Sequence, residues 1–130
     1  MREILFRAKR EATNEWVYGY FVNEYDDFQI YVQPQIITRS GREYVNENTL
    51  GQFTGLTDKN GVKIFEGDIV RYGDTIHKVV FEQRNGTAYF GLVYSPIETL
   101  QFGHYQDLRQ LEVIGNIYEN PELIGGESDD

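Results

Sequence analysis

Residues 51–70 read Gly51-Gln52-Phe53-Thr54-Gly55-Leu56-Thr57-Asp58-Lys59-Asn60-Gly61-Val62-Lys63-Ile64-Phe65-Glu66-Gly67-Asp68-Ile69-Val70, and their punctuation decides the fold class. Thr57–Gly61 is turn-forming sequence, because Asn60-Gly61 can supply the positive φ that a tight hairpin needs. It links Gln52–Leu56 to Val62–Phe65, both read as strands. Glu66-Gly67-Asp68 is a second turn, and Ile69-Val70-Arg71-Tyr72 is the next strand. Asp58 and Asp68 are of the residue type that bonds the backbone of its own turn.

The same rhythm runs outward in both directions. Gly73-Asp74 turns into Thr75–Glu82, with Ile76, Val79 and Phe81 as apolar positions and His77 assigned to the polar face. Arg84-Asn85-Gly86 closes a hairpin onto Thr87–Tyr94. Leu111–Tyr118 is a further strand kinked at Gly115 and ended by Asn120-Pro121. Pro96–Leu111 fits either a short helix or a packed loop, with Ile97, Leu100, Leu108 and Leu111 as its apolar residues. Towards the N-terminus, Glu3–Lys9 and Glu15–Asn23 form an antiparallel pair across a turn at Thr13-Asn14-Glu15. On the second of these strands the two-residue period places Trp16, Tyr18 and Tyr20 on one side and Val17 and Phe21 on the other. Gly19 between them marks a bulge or a close backbone approach. Phe28–Val32 is a strand ended near Pro34, Ile36–Thr38 extends again, and Ser40-Gly41-Arg42 turns.

Turns about every 8–12 residues indicate a small barrel or sandwich. The expected fold is mainly β: antiparallel strands in a small barrel-like core of SH3 or OB type, with an N-terminal β-rich lobe and at most one short helix. An aromatic content of 15% agrees, since aromatic side chains favour strands. At 130 residues the expectation is a single domain over 1–124, with two lobes at 1–48 and 49–124 parted by the polar run 41–48. Residues 125–130 read as an acidic, disordered tail.

There is no cysteine, which removes disulfides, thiolate metal sites and thiol catalysis. The N-terminal apolar run, Ile4-Leu5-Phe6, is shorter than the roughly 7–15 residues of a secretory signal, and no run approaches the roughly 18 of a membrane helix. A cytoplasmic protein without membrane contact is expected. The net charge of −9 repels nucleic-acid phosphates at long range and first of all serves solubility.

A search for chemistry finds little. His77 and His104 have no neighbouring ligand pattern of the kind metals need. Ser40, Ser95 and Ser128 lie in no nucleophile elbow. Residues 51–55 have neither the spacing nor the lysine of a phosphate-binding loop. The carboxylate pairs Asp26/Asp27 and Glu66/Asp68 sit in turns, where exposed acids are the rule, although a buried pair can divide acid and base roles. No catalytic, cofactor-binding or metal-binding residue is therefore assigned. The richest constellation is the row Trp16, Tyr18 and Tyr20, with Tyr25, Phe28 and Tyr31 nearby and Arg7, Lys9 and Arg10 on the adjoining strand. It reads first as sheet packing and second as a partner surface built from Trp16, Tyr18, Tyr20, Arg7 and Lys9. Bases beside exposed aromatics also describe a single-strand-binding layout, interrupted here by Glu3, Glu11 and Glu15.

The stretch 51–70 resembles the hallmark of the YopX family of small proteins encoded by phages and prophages of bacteria. The opening Met1–Lys9 with Trp16-Val17-Tyr18-Gly19 is similar to the family's start, and Glu112–Leu123 to its end. Residues 22–48 and 83–110 carry no matching motif. The resemblance implies a mostly β protein with a barrel-like part and carries no activity, cofactor or site residue. Glu66-Gly67-Asp68-Ile69-Val70 also resembles strand openings of SH3-like barrels. The expected function is that of a non-enzymatic phage or prophage accessory protein whose partner is a macromolecule, a protein before a nucleic acid. A single-strand binder, an acidic DNA mimic and a hydrolase using turn carboxylates stand as alternatives. Duplex DNA is the least expected partner, and oligomeric state is not legible.

Overall fold

The computed structural model describes residues 3–25, 27–28, 32–84, 86–95, 98–102 and 107–125. The chain is mainly β, with strands β1 (Phe6–Arg10), β2 (Trp16–Tyr25), β3 (Val32–Thr38), β4 (Gly41–Thr57), β5 (Lys63–Phe65), β6 (Asp68–Tyr72), β7 (Thr75–Arg84), β8 (Thr87–Ser95), β9 (Glu98–Gln101) and β10 (Leu111–Asn116). Helical structure among the described residues is limited to two 3-10 turns, Leu108–Gln110 and Pro121–Ile124. Two compact units result, residues 1–53 and 54–130, and the division falls inside β4. The run 41–48, read as a lobe boundary, is the first half of that strand.

In the first unit the strands run antiparallel in the order β1-β2-β3-β4, and β4 also pairs with β1. That second pairing makes the sheet barrel-like. β4 is long enough to serve both neighbours: Gly41–Tyr44 pair with β3, and Val45–Gln52 reach β1. A bulge makes the change possible. Arg7 faces Gly51 while Lys9 faces Asn46, so two residues along β1 match five along β4. The Lys9 N–H donates to the Thr49 hydroxyl at 2.8 Å, and that hydroxyl donates to the Asn46 carbonyl at 2.7 Å. The core is Ala8, Val17, Ile36 and Val45, with Phe6, Phe21 and Leu50 packed against it.

The β1–β2 turn lies where the sequence placed it, with Asn14 at φ 64°, a conformation asparagine tolerates better than most residues. Gly19 makes the close approach expected of it: a Cβ there would lie 2.1 Å from the Ile37 carbonyl oxygen. Pro34, expected to end a strand, sits within β3 opposite Asn23. Only β2 is paired with β3 at that point, since β4 joins from Gln35 onward, so the missing N–H need not break a ladder on both sides. Tyr31 lies outside the described residues, as does Asp26.

In the second unit a five-stranded antiparallel sheet runs β10-β6-β7-β8-β9, and β5 follows the end of β4. Ile64, Val70, Val79, Leu92, Phe102 and Leu111 form the core. The Thr57–Gly61 turn is built around Asp58, whose Oδ1 accepts from the N–H groups of Asn60 (2.8 Å) and Val62 (2.9 Å). Its Oδ2 accepts from the Val113 N–H at 2.9 Å, so one buried carboxylate ties this turn to β10. Asp68 Oδ2 likewise accepts from the Phe65 N–H at 2.7 Å. Gly115 is the expected kink, for the register shifts between Val113 and Gly115.

Two expectations change here. His77, assigned to the polar face, is buried, and Ile76 is the exposed neighbour. The register pairs His77 with the core residue Val70. The imidazole is satisfied there: Nδ1 donates to the Val93 carbonyl at 3.0 Å, and Nε2 lies 2.7 Å from the Thr75 hydroxyl. The stretch 96–111 contains a strand, β9, that neither a helix nor a loop anticipates. It pairs with β8 and delivers Phe102 to the core. Residues 96–97 and 103–106, His104 among them, lie outside the described residues, as does the tail from 126.

Gly61 has φ 80° with open space around it. Gly61→Val should therefore cost about 1–3 kcal/mol through backbone strain alone. Thermal denaturation checks this, and an unchanged midpoint would reject it.

Candidate interaction surface

Strand pairing places the aromatic row on the outward face of the first unit. Arg7 is opposite Tyr18 and Lys9 opposite Trp16, so these four share a face. Tyr20 on the same face is opposite Ile37, which is opposite Arg42, and Gln35 is opposite Tyr44. The core residues Ala8, Val17, Ile36 and Val45 occupy the reverse face, as strand alternation requires.

The five residues proposed from sequence divide into two groups. Tyr18 and Tyr20 are exposed at 46% and 65% of their surface. Arg7 and Lys9 are each only 6% exposed. Their cationic ends lie 4.3 Å and 5.3 Å from the centre of the half-buried Trp16 ring. A cation over an aromatic face contributes about 0.5–2 kcal/mol, more when desolvated. Trp16 thus works with the two bases as a packed cluster, while Tyr18 and Tyr20 meet solvent. Arg10 is occupied by Glu43 at 3.1 Å and Glu15 at 3.5 Å.

Tyr44, 57% exposed, joins Tyr18 and Tyr20 on this face and was missed. Its signal was present in the alternation of Arg42, Tyr44 and Asn46, hidden once residues 41–48 are read as a polar boundary. Between the tyrosines lies a polar network. The Glu24 carboxylate accepts from Gln35 Nε2 at 3.1 Å and from Arg42 Nη1. The Gln35 hydrogen bond first, then the Arg42 hydrogen bond and charge, hold the Glu24 carboxyl below its ordinary pKa. Gln35 is itself buried, whereas Glu24 and Arg42 are exposed, so a charged pair anchored to the sheet through Gln35 lies at the surface between the tyrosines. Tyr25 and Phe28, also exposed, stand at the end of β2 and in the turn after it.

Of the turn carboxylates, Asp58 and Asp68 are buried and bonded to backbone amides, Glu66 is half-buried and Asp27 is exposed. No group of three or more His, Asp or Glu side chains spaced to hold a metal occurs among the described residues. No described helix is long and apolar enough to cross a membrane.

Comparison with known proteins gives two findings. The chain matches the model of the YopX protein family over residues 5–125. It is also similar to the crystal structure of protein EF1440 from Enterococcus faecalis, at 26% identity and a TM-score of 0.51, with 95% of this chain and 99% of that chain covered. No protein with a curated description matches.

Proposed function

We propose, from the premise that the chain belongs to the YopX family, that it is a non-enzymatic phage or prophage accessory protein. It acts in the bacterial cytoplasm by binding a protein partner through the tyrosine face of its first unit. The observation carrying this reading is the grouping of exposed Tyr18, Tyr20 and Tyr44 on one sheet surface. Tyrosine brings a large, stiff contact area with a polar tip, which is why it is enriched at interfaces. Three such side chains are a suitable centre for an interface, where a few aromatic residues carry most of the energy.

The test begins with tagged protein recovered from infected cells, followed by binding of the purified partner to parent and to Tyr20→Ser/Tyr44→Ser. Both positions are exposed, so the variant should fold. We expect affinity to fall at least about tenfold, or about 1.4 kcal/mol. Equal binding by both proteins would overturn the assignment of the surface.

Single-stranded nucleic acid is the second reading, favoured by the same tyrosines, since stacking supplies about 1–3 kcal/mol per base. The buried placement of Arg7 and Lys9 opposes it, because counterion release requires bases that can reach phosphates. The expected result is no tight binding of a labelled 20-mer, single- or double-stranded, at physiological salt. Sub-micromolar binding of the single strand, abolished by Tyr18→Ala, would promote this reading over the first.

A further inference from the structure

We propose that a groove on the second unit, between β7, β8 and the Pro121–Ile124 turn, binds a small amphipathic carboxylate. It is lined by residues of the second unit and does not depend on the reading given for the tyrosine face.

The groove originates in the sheet. β7 pairs with β6 through Thr75–Lys78 and with β8 only from Val79 onward. β8 continues to Ser95 without a ladder partner on that side, so the two strands part beyond the Val79–Leu92 pair. The His77 side chain spans the split, with Nδ1 on the Val93 carbonyl and its ring 4.0 Å from the Tyr94 ring. Those contacts hold Val93 and Tyr94 in place. Ile76, Lys78, Val93, Tyr94, Ser95 and Ile124 line an open groove of about 480 Å³. That volume falls in the range of small-molecule sites, about 300–1,000 Å³, which are mostly apolar with a few placed polar groups.

Lys78 names the chemistry. This chain carries 21 acidic residues against 12 Lys and Arg, so cations readily find carboxylates. Arg10, Arg42, Lys59, Arg71 and Arg109 all do. Lys78 is half-buried beside apolar side chains, and no ion pair or hydrogen bond of its side chain occurs among the described residues. An ammonium so placed attracts an anionic head more strongly than one in open water, because the local dielectric is lower. Ile76, Val93 and Ile124 then cover a hydrocarbon body. A single carboxylate on an aliphatic chain satisfies both halves of the groove. A phosphate or a polyanion would leave the apolar walls uncovered.

Octanoate and octan-1-ol, titrated separately into the whole chain and followed by backbone amide shifts, test the proposal. Octanoate should shift amides of residues 75–79, 93–95 and 123–125 and bind at least about tenfold more tightly than the alcohol. Lys78→Met keeps the aliphatic stem and should bring octanoate down to the level of the alcohol. Should that variant fail to fold, Lys78→Gln replaces it with the same expectation. Equal affinity for the two probes, octanoate binding that survives the loss of Lys78, shifts confined to other strands, or no shifts at all would each overturn the proposal.

Discussion

An Asp58→Ala chain should be less stable than the parent by about 4 kcal/mol, a large part of the 5–15 kcal/mol that holds a typical domain together. The Asp58 carboxylate accepts from the N–H groups of Asn60, Val62 and Val113, and the residue is buried. A hydrogen bond to a charged acceptor contributes about 1.5–3 kcal/mol, and a buried donor left unmet costs about 1–3 kcal/mol. The three bonds share one group, so their losses do not simply add. Asp58→Asn keeps one acceptor oxygen but turns an NH₂ group towards a backbone donor, and should cost about 2 kcal/mol. Urea denaturation measures both, and a loss under about 1 kcal/mol for the alanine variant would refute the assignment.

The same group sets an acid limit. Burial pushes the Asp58 carboxyl up, but the amides of Val113, Val62 and Asn60, helped by the Lys59 charge, outweigh it and hold the carboxyl below its ordinary value. A folded pKa below the unfolded one gives stability that is fully present above the unfolded value, about 3.9. It is lost as pH falls through the folded pKa. The parent should therefore lose this contribution below about pH 4, and the stability of Asp58→Asn should fall less steeply over that window.

Gly19→Ala is expected to be comparably damaging, at about 3 kcal/mol or more. The new methyl would lie 2.1 Å from the Ile37 carbonyl oxygen and 3.0 Å from Ile36 Cγ2. The atom met is backbone, which no rotamer change can clear. The substitution must push β2 away from β3 at a point where Gly19 is also paired with Phe6 of β1, so the closed pairing of the first unit should loosen. Thermal or urea denaturation reads the loss. Stability within about 0.5 kcal/mol of the parent, the range of ordinary surface changes, would show that the close approach is not a feature of the native fold.

The legible parts of the site share a cause. Tyr18 and Tyr20 face solvent, and Val17 faces the core, because a strand alternates whatever it pairs with. The fate of Arg7 and Lys9 was not legible. Both alternate onto the tyrosine face, yet both are buried, with the Trp16 ring against them across the β1–β2 pair. The groove around Lys78 was equally hidden, since it depends on where β7 exchanges one neighbour for another.

The sequence by itself determined the turns and the strand-rich class. Asn60-Gly61 and Glu66-Gly67-Asp68 act locally, through glycine's access to positive φ and the reach of a short carboxylate to its own backbone. At Gly19 it left a bulge and a close backbone approach as alternatives, and the structure shows the approach. Only the tertiary structure decided which strands meet. That β4 turns from β3 to β1 rests on a bulge and on the Thr49 hydroxyl, forty residues from the amide it satisfies. That His77 points inward and Ile76 outward rests on the pairing of His77 with Val70 and on two polar partners within reach of its ring, the Thr75 hydroxyl and the Val93 carbonyl. Periodicity gives a strand two faces, but which face is buried depends on partners that are distant in the chain, and pairing register carries that information.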